Sequence, residues 1–152
     1  MMSSRDYEQG SVDILVHVLA DTYVLAIKTQ NAHWNLRDPG FIGMHELLDE
    51  QYQGLQKAID VLAERIKALG GRAPGSMKEF MSLSRLTESS EITTLKDTVL
   101  LLSEGHKQIS SLMLDHIKTM SGQGDEGTID LLVERIRDHD HQAWLLEAHD
   151  QS

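Results

Sequence analysis

The chain has 152 residues and a mass of 17.1 kDa, enough for a single domain with a hydrophobic core and too short for two. Apolar residues make up 40% and charged residues 25%, which excludes disordered and fibrous classes, and the lack of cysteine excludes disulfides, thiolate catalysis and cysteine-ligated zinc or iron–sulfur sites. Fourteen basic residues against 24 acidic ones leave a formal charge of −10, so no basic run is present to grip a phosphate backbone and cations are the favoured partners.

Punctuation divides the chain into four long runs. Residues 1–10 read as a short N-terminal extension, without the apolar stretch of a secretion signal, and this predicts a cytoplasmic protein. Residues 11–36 contain neither Gly nor Pro and predict a first helix. No window of this or any other run reads as 18 uncharged apolar residues, which predicts no membrane span. Arg37-Asp38-Pro39-Gly40 is a turn, with Pro where a new helix would begin. Over 41–69, Phe41, Met44, Leu48, Tyr52, Leu55, Ile59, Leu62, Ile66 and Leu69 alternate steps of three and four, and Gly70-Gly71 ends the run. A Ser-rich connection, 76–89, holds one apolar cluster (Met77, Phe80, Met81, Leu83) and predicts a short extra helix. Helical spacing resumes over about 90–121 through Ile92, Leu95, Val99, Leu102, His106, Ile109, Met113, His116 and Met120. It resumes again over about 126–149 through Ile129, Leu132, Ile136, His139, Ala143 and Leu146. The expected fold is all-α: a four-helix bundle with a short helix between helices 2 and 3, as one domain over 1–152.

Eight histidines without any cysteine direct attention to nitrogen and oxygen metal ligands. On the second run His45 and Asp49 stand four apart, and so do Asp60 and Glu64, so each pair shares a helix face. With His45 at zero and about 100° per residue, Asp49, Asp60 and Glu64 fall at about 40°, 60° and 100°. The apolar seam falls between about −20° and −120°, so these groups stand beside the core rather than in it. The centres of the two pairs are about 22 Å apart along the axis, too far for one ion to touch both. A second copy of the helix, running antiparallel across a two-fold axis, would bring His45/Asp49 against the other copy's Asp60/Glu64 and make two equivalent sites. His33 is a further nitrogen donor. The ordinary alternative for such acidic pairs is a solvated helix face. His45-Glu46-Leu47-Leu48-Asp49 also looks like the zincin motif, with its second His missing.

The stretch Asn31-Ala32-His33-Trp34-Asn35-Leu36, followed by Pro39-Gly40-Phe41 and Met44-His45-Glu46-Leu47-Leu48-Asp49-Glu50, resembles the Dps proteins (DNA-binding protein from starved cells), mini-ferritins of the ferritin-like superfamily. Ile59-Asp60-Val61-Leu62-Ala63-Glu64-Arg65 through Gly70-Gly71 resembles them too. The resemblance implies a ferritin-like fold and a hollow homododecamer in the bacterial cytoplasm or nucleoid. It implies ferroxidase centres at the two-fold interfaces, with His33, His45 and Asp49 as metal ligands from one subunit and Asp60 and Glu64 from its partner. Trp34 would be a catalytic neighbour that handles oxidising intermediates. The implied reaction oxidises Fe(II), preferably with hydrogen peroxide, and stores ferric mineral in the cavity, protecting against oxidative damage; zinc would be a competing occupant. No histidine here has Glu three residues before it, so the inward-facing site of ordinary ferritins is not expected. Asp38 departs from the family's usual Gly.

Asp125, Glu126 and Asp130 open the last helix. They suit capping and the helix dipole, and the resemblance implies that they line three-fold pores admitting Fe(II). DNA condensation is the alternative function. Neither terminus is basic: Arg5 stands against Asp6 and Glu8, and the chain ends Glu147-Ala148-His149-Asp150-Gln151-Ser152. DNA binding is therefore expected to be weak. His106, His116 and His139 are expected as hydrogen-bonded core or interface histidines, and Trp144 as a packing residue; His141 and His149 have no assigned role.

Overall fold

The computed structural model describes residues 6–37, 40–89 and 91–149. Asp38, Pro39 and the ends of both termini lie outside them. Among the described residues there are five helices and no strand: α1 (Glu8–Asn35), α2 (Phe41–Ala68), α3 (Met77–Leu83), α4 (Leu95–Met120) and α5 (Glu126–Glu147). Helices α1 and α2 pack as one pair and α4 and α5 as another, with α1 also touching α3 and α4. The four long helices enclose Leu15, Leu19 and Leu25 of α1, Met44, Leu48, Leu62 and Ile66 of α2, Leu102, Ile109 and Met113 of α4, and Leu132 of α5, all fully buried. This is the expected bundle with its extra helix in the second connection.

Two boundaries differ from expectation. Helix α1 starts at Glu8, so the N-terminal extension is shorter than ten residues; an acidic residue in a first turn is favoured by the exposed amides there. The third long helix starts at Leu95 rather than near 90. Thr94, in extended backbone, accepts a hydrogen bond from the Asp97 amide at 3.1 Å and caps it. Ile92 is fully buried although it precedes the helix: it plugs the core from an extended segment and so mimics helical spacing. Helix α1, although it holds no window of 18 uncharged apolar residues, is strongly apolar. An 18-residue window of α1 has a mean hydropathy of 1.5 and passes the length and charge test for a span. In this fold α1 is the central helix, with 61% of that window buried.

The 69–94 connection is riveted to the bundle by a buried acid. Asp21, in the middle of α1, is fully buried. Its carboxylate accepts from the Ser84 hydroxyl at 3.1 Å and from Arg85 through the backbone amide at 2.6 Å and Nε at 2.9 Å. Arg85 also donates through Nη1 to His116 Nε2 at 3.0 Å, so one guanidinium joins α1, the connection and α4. His116 is thus half-buried at this rivet, while His106 and His139 are in the core as expected. Trp144 departs from expectation: it is 62% exposed and its ring lies against His141 at 5.6 Å. His149 bonds the Leu145 carbonyl beyond the end of α5.

The buried histidine pair has a defined direction. Arg135 Nη2 donates to His139 Nε2 at 3.2 Å. A neutral His139 therefore carries its proton on Nδ1, which donates to His106 Nδ1 at 2.8 Å. His106 is left protonated at Nε2, an atom with no hydrogen-bond partner among the described residues. Burial pushes the His106 pKa down from 6.5 to about 3; Asp138 opposes the shift and Arg135 reinforces it. His139 is held well below its usual value by burial, then by His106 and Arg135. Between pH 6.5 and about 3 the unfolded chain therefore binds protons that the folded chain refuses, and stability falls as pH falls. The urea midpoint is expected to decline across this window, with His106 contributing up to roughly 1.4 kcal/mol per pH unit and His139 acting in the same direction. His106→Gln should flatten the pH dependence, measured by circular dichroism.

Candidate metal centre

The end of α1 and the start of α2 are locked together by two imidazoles. His33 Nδ1 lies 3.0 Å from the His45 carbonyl, and His45 Nδ1 lies 2.9 Å from the His33 carbonyl. A carbonyl only accepts, so both Nδ1 atoms must carry the proton. In the neutral rings each Nε2 is then an uncommitted lone pair. The rings are stacked, with centroids 3.9 Å apart and planes inclined by 14°. Metal-binding histidines typically have this arrangement, in which the far N–H is held by a carbonyl or carboxylate and the tautomer is fixed before the metal arrives.

Asp49 follows His45 by one turn and is half-buried. Gln53 donates to its Oδ2 at 3.1 Å, which steadies the carboxylate. Two imidazole nitrogens and a carboxylate are a donor set suited to Fe(II) and equally to zinc, so these residues fit the expected metal. Among the described residues no group of three histidine or acidic side chains is gathered tightly enough to hold an ion.

Asp60 and Glu64, three turns further along α2, are exposed. The buried seam of α2 (Met44, Leu48, Gln51, Leu55, Ala58, Leu62, Ile66) lies on another side of the helix, so the two acids stand beside the core as their spacing predicts. They are too far along the same straight helix to reach His45. Trp34 is 67% exposed beside His33. Helical spacing alone puts Phe41 in the core seam and gives Gln53 no role. Phe41 is only half-buried, and its ring stacks on His45 with centroids 4.8 Å apart. Both residues stand four positions from an expected ligand, which was the available signal.

Of the three acids expected to cap α5 or to line a pore, Asp125 has the structural role. It is buried, caps α5 by accepting from the Thr128 amide at 3.0 Å, and pairs with Arg65 Nη2 at 2.8 Å. Burial alone would raise its pKa, but hydrogen bonds from Ser11, Thr128 and Arg65 prevail and hold it below the usual carboxylate range. Gly127 leaves room for this pair, since a Cβ there would meet Arg65 Nη2 at 2.8 Å. Glu126 and Asp130 are exposed.

The comparisons agree with the fold. The family model of the ferritin-like domain matches residues 12–152. The chain is 36% identical over 141 residues to a DNA protection during starvation protein of Agrobacterium fabrum, covering 92% of this chain and 87% of that one. It superposes on DpsC from Streptomyces coelicolor with a TM-score of 0.90 at 31% identity, over 100% of this chain and 89% of that one. The Dps protein of Vibrio cholerae O1, a member of a broad superfamily of ferritin-like diiron-carboxylate proteins, gives 0.90 at 28% identity, over 95% and 91%. The bundle is thus of the ferritin-like class. Within that class the chain belongs to the Dps family.

The structural reading of Asp125 has a direct check. Asp125→Ala removes a cap and a buried ion pair and should lower stability by roughly 2 kcal/mol, seen as a lower urea midpoint. Glu126→Ala should leave the midpoint nearly unchanged.

Proposed function

We propose that this protein is a ferroxidase and iron store that acts as a two-fold-symmetric assembly. The observation that carries the reading is the latched His33–His45 pair. It leaves two Nε2 lone pairs available, with Asp49 one turn along α2 from His45, while Asp60 and Glu64 stand exposed on the same helix and out of reach. A second α2 in antiparallel register supplies the missing carboxylates, and symmetry repeats the site. Fe(II) is the substrate. His33, His45 and Asp49 hold it from one chain and Asp60 and Glu64 from the other, with Glu64 able to bridge two ions. Hydrogen peroxide is the preferred oxidant: each of two Fe(II) ions gives up one electron, and the O–O bond breaks to give two hydroxides. Trp34, beside the centre, handles reactive intermediates. Ferric mineral accumulates inside a dodecamer, which Fe(II) enters past Glu126 and Asp130. Zinc competes for the same donors.

Replacing Asp60 by Asn and Glu64 by Gln together should slow peroxide-driven Fe(II) oxidation at least about tenfold, on the scale set by loss of metal ligands or their supports, with particle mass unchanged by light scattering. Full-rate oxidation in that variant would overturn the assignment.

The name of the Agrobacterium relative favours a second reading, in which the protein binds DNA directly. Affinity for a polyanion depends on clustered Lys and Arg, and this chain carries a formal charge of −10. In an electrophoretic shift assay at moderate salt we expect no retention of duplex DNA at micromolar protein, whereas retention would favour the second reading.

A further inference from the structure

The next inference rests on the metal-centre reading above. His45 lies between two rings. His33 is stacked on it at 3.9 Å and 14°, and Phe41 at 4.8 Å and 27°. Two rings this close and this parallel to a third do not fit on one face, so they occupy opposite faces. Phe41 is held there by the backbone and by the core. It is the first residue of α2 and follows Gly40, whose φ of 83° lies in the left-handed region. That conformation favours glycine and starts the helix at Phe41, so its ring stands one turn from His45 on the same face. Phe41 is also half-buried and packs against the hydrophobic core.

From this geometry we infer that Phe41 is a positioning residue of the metal centre. It closes the free face of the His45 ring and keeps Nε2 available for a metal. One hydrogen bond and one stack would leave the imidazole able to turn about its Cβ–Cγ bond, a soft torsion. A half-turn exchanges Nδ1 with Cδ2 and Nε2 with Cε1. The His33 carbonyl then loses its donor, and a carbon without a lone pair stands where the metal would bind. With Phe41 present, that turn must sweep the ring between two flat neighbours. The effect reaches His33 as well, because its own Nδ1 bond ends on the His45 carbonyl.

The test uses the full-length assembled protein and Co(II) alone as probe; its visible absorption reports imidazole and carboxylate coordination without oxidation. Phe41→Leu keeps apolar bulk and removes the ring, whereas Phe41→Tyr keeps the ring. The Leu variant should raise the Co(II) dissociation constant about tenfold, as loss of outer-shell support does, with particle mass and helical circular dichroism unchanged. The Tyr variant should stay within about twofold of the parent, because the stack survives. Should the Leu variant fail to assemble, Phe41→Met carries the same expectation. The inference is overturned if the ringless variant binds Co(II) as tightly as the parent, or if the Tyr variant is as weak as the ringless one. A parent signal indifferent to Asp60→Asn/Glu64→Gln would instead overturn the two-chain centre and leave the part played by Phe41 at His45 standing.

Discussion

The reciprocal bond between His33 and His45 is the constraint on which the site geometry turns. Each imidazole donates to the backbone of the residue that carries the other. Neither ring can move without breaking a hydrogen bond that the other side needs. The contact therefore does two things with the same atoms: it closes the open end of the α1–α2 hairpin, and it fixes the tautomer of both rings. Bonds from side chains to carbonyls are individually modest, about 1 kcal/mol net. Here two of them and a stack share one small interface, so they are lost or kept together.

The opposite pair, α4 and α5, is joined differently. Its interior holds His106, His139 and Arg135 beside Leu102 and Leu132, and two N–H groups, at His106 Nε2 and Arg135 Nε, are left without an acceptor among the described residues. Leaving a buried donor unmet costs about 1–3 kcal/mol. The bundle thus has one helix pair joined by polar contacts at its rim, and another that also seals a histidine pair inside, which makes it sensitive to acid.

Much of this was legible in the residues because it depends on short spacings. The seam of α2 and the placement of Asp60 and Glu64 beside it follow from 3.6 residues per turn, as do the four-residue steps from His45 to Asp49 and from Asp60 to Glu64. What spacing could not report was how residues meet across turns. The pairing of His33 with His45 spans a turn, so sequence reasoning offered His33 only as an additional donor and gave no hint that the two rings hold each other. Ile92 fits a helical seam in sequence and fills the core from extended backbone. Asp125 has the acidic character of a pore residue, and only the position of Arg65, sixty residues earlier, shows that its carboxylate is committed. Trp144 has a large apolar ring, yet α5 turns it outward.

Helix α1 poses a problem in the order of synthesis. It is synthesised before the other helices of the bundle, and its most apolar stretch matches a lipid-spanning segment in length and hydropathy, so until it is covered it offers a bilayer or a chaperone what it offers the core. Its main cover, α2, follows after a turn of a few residues. The nascent hairpin can shield that surface before α4 and α5 exist.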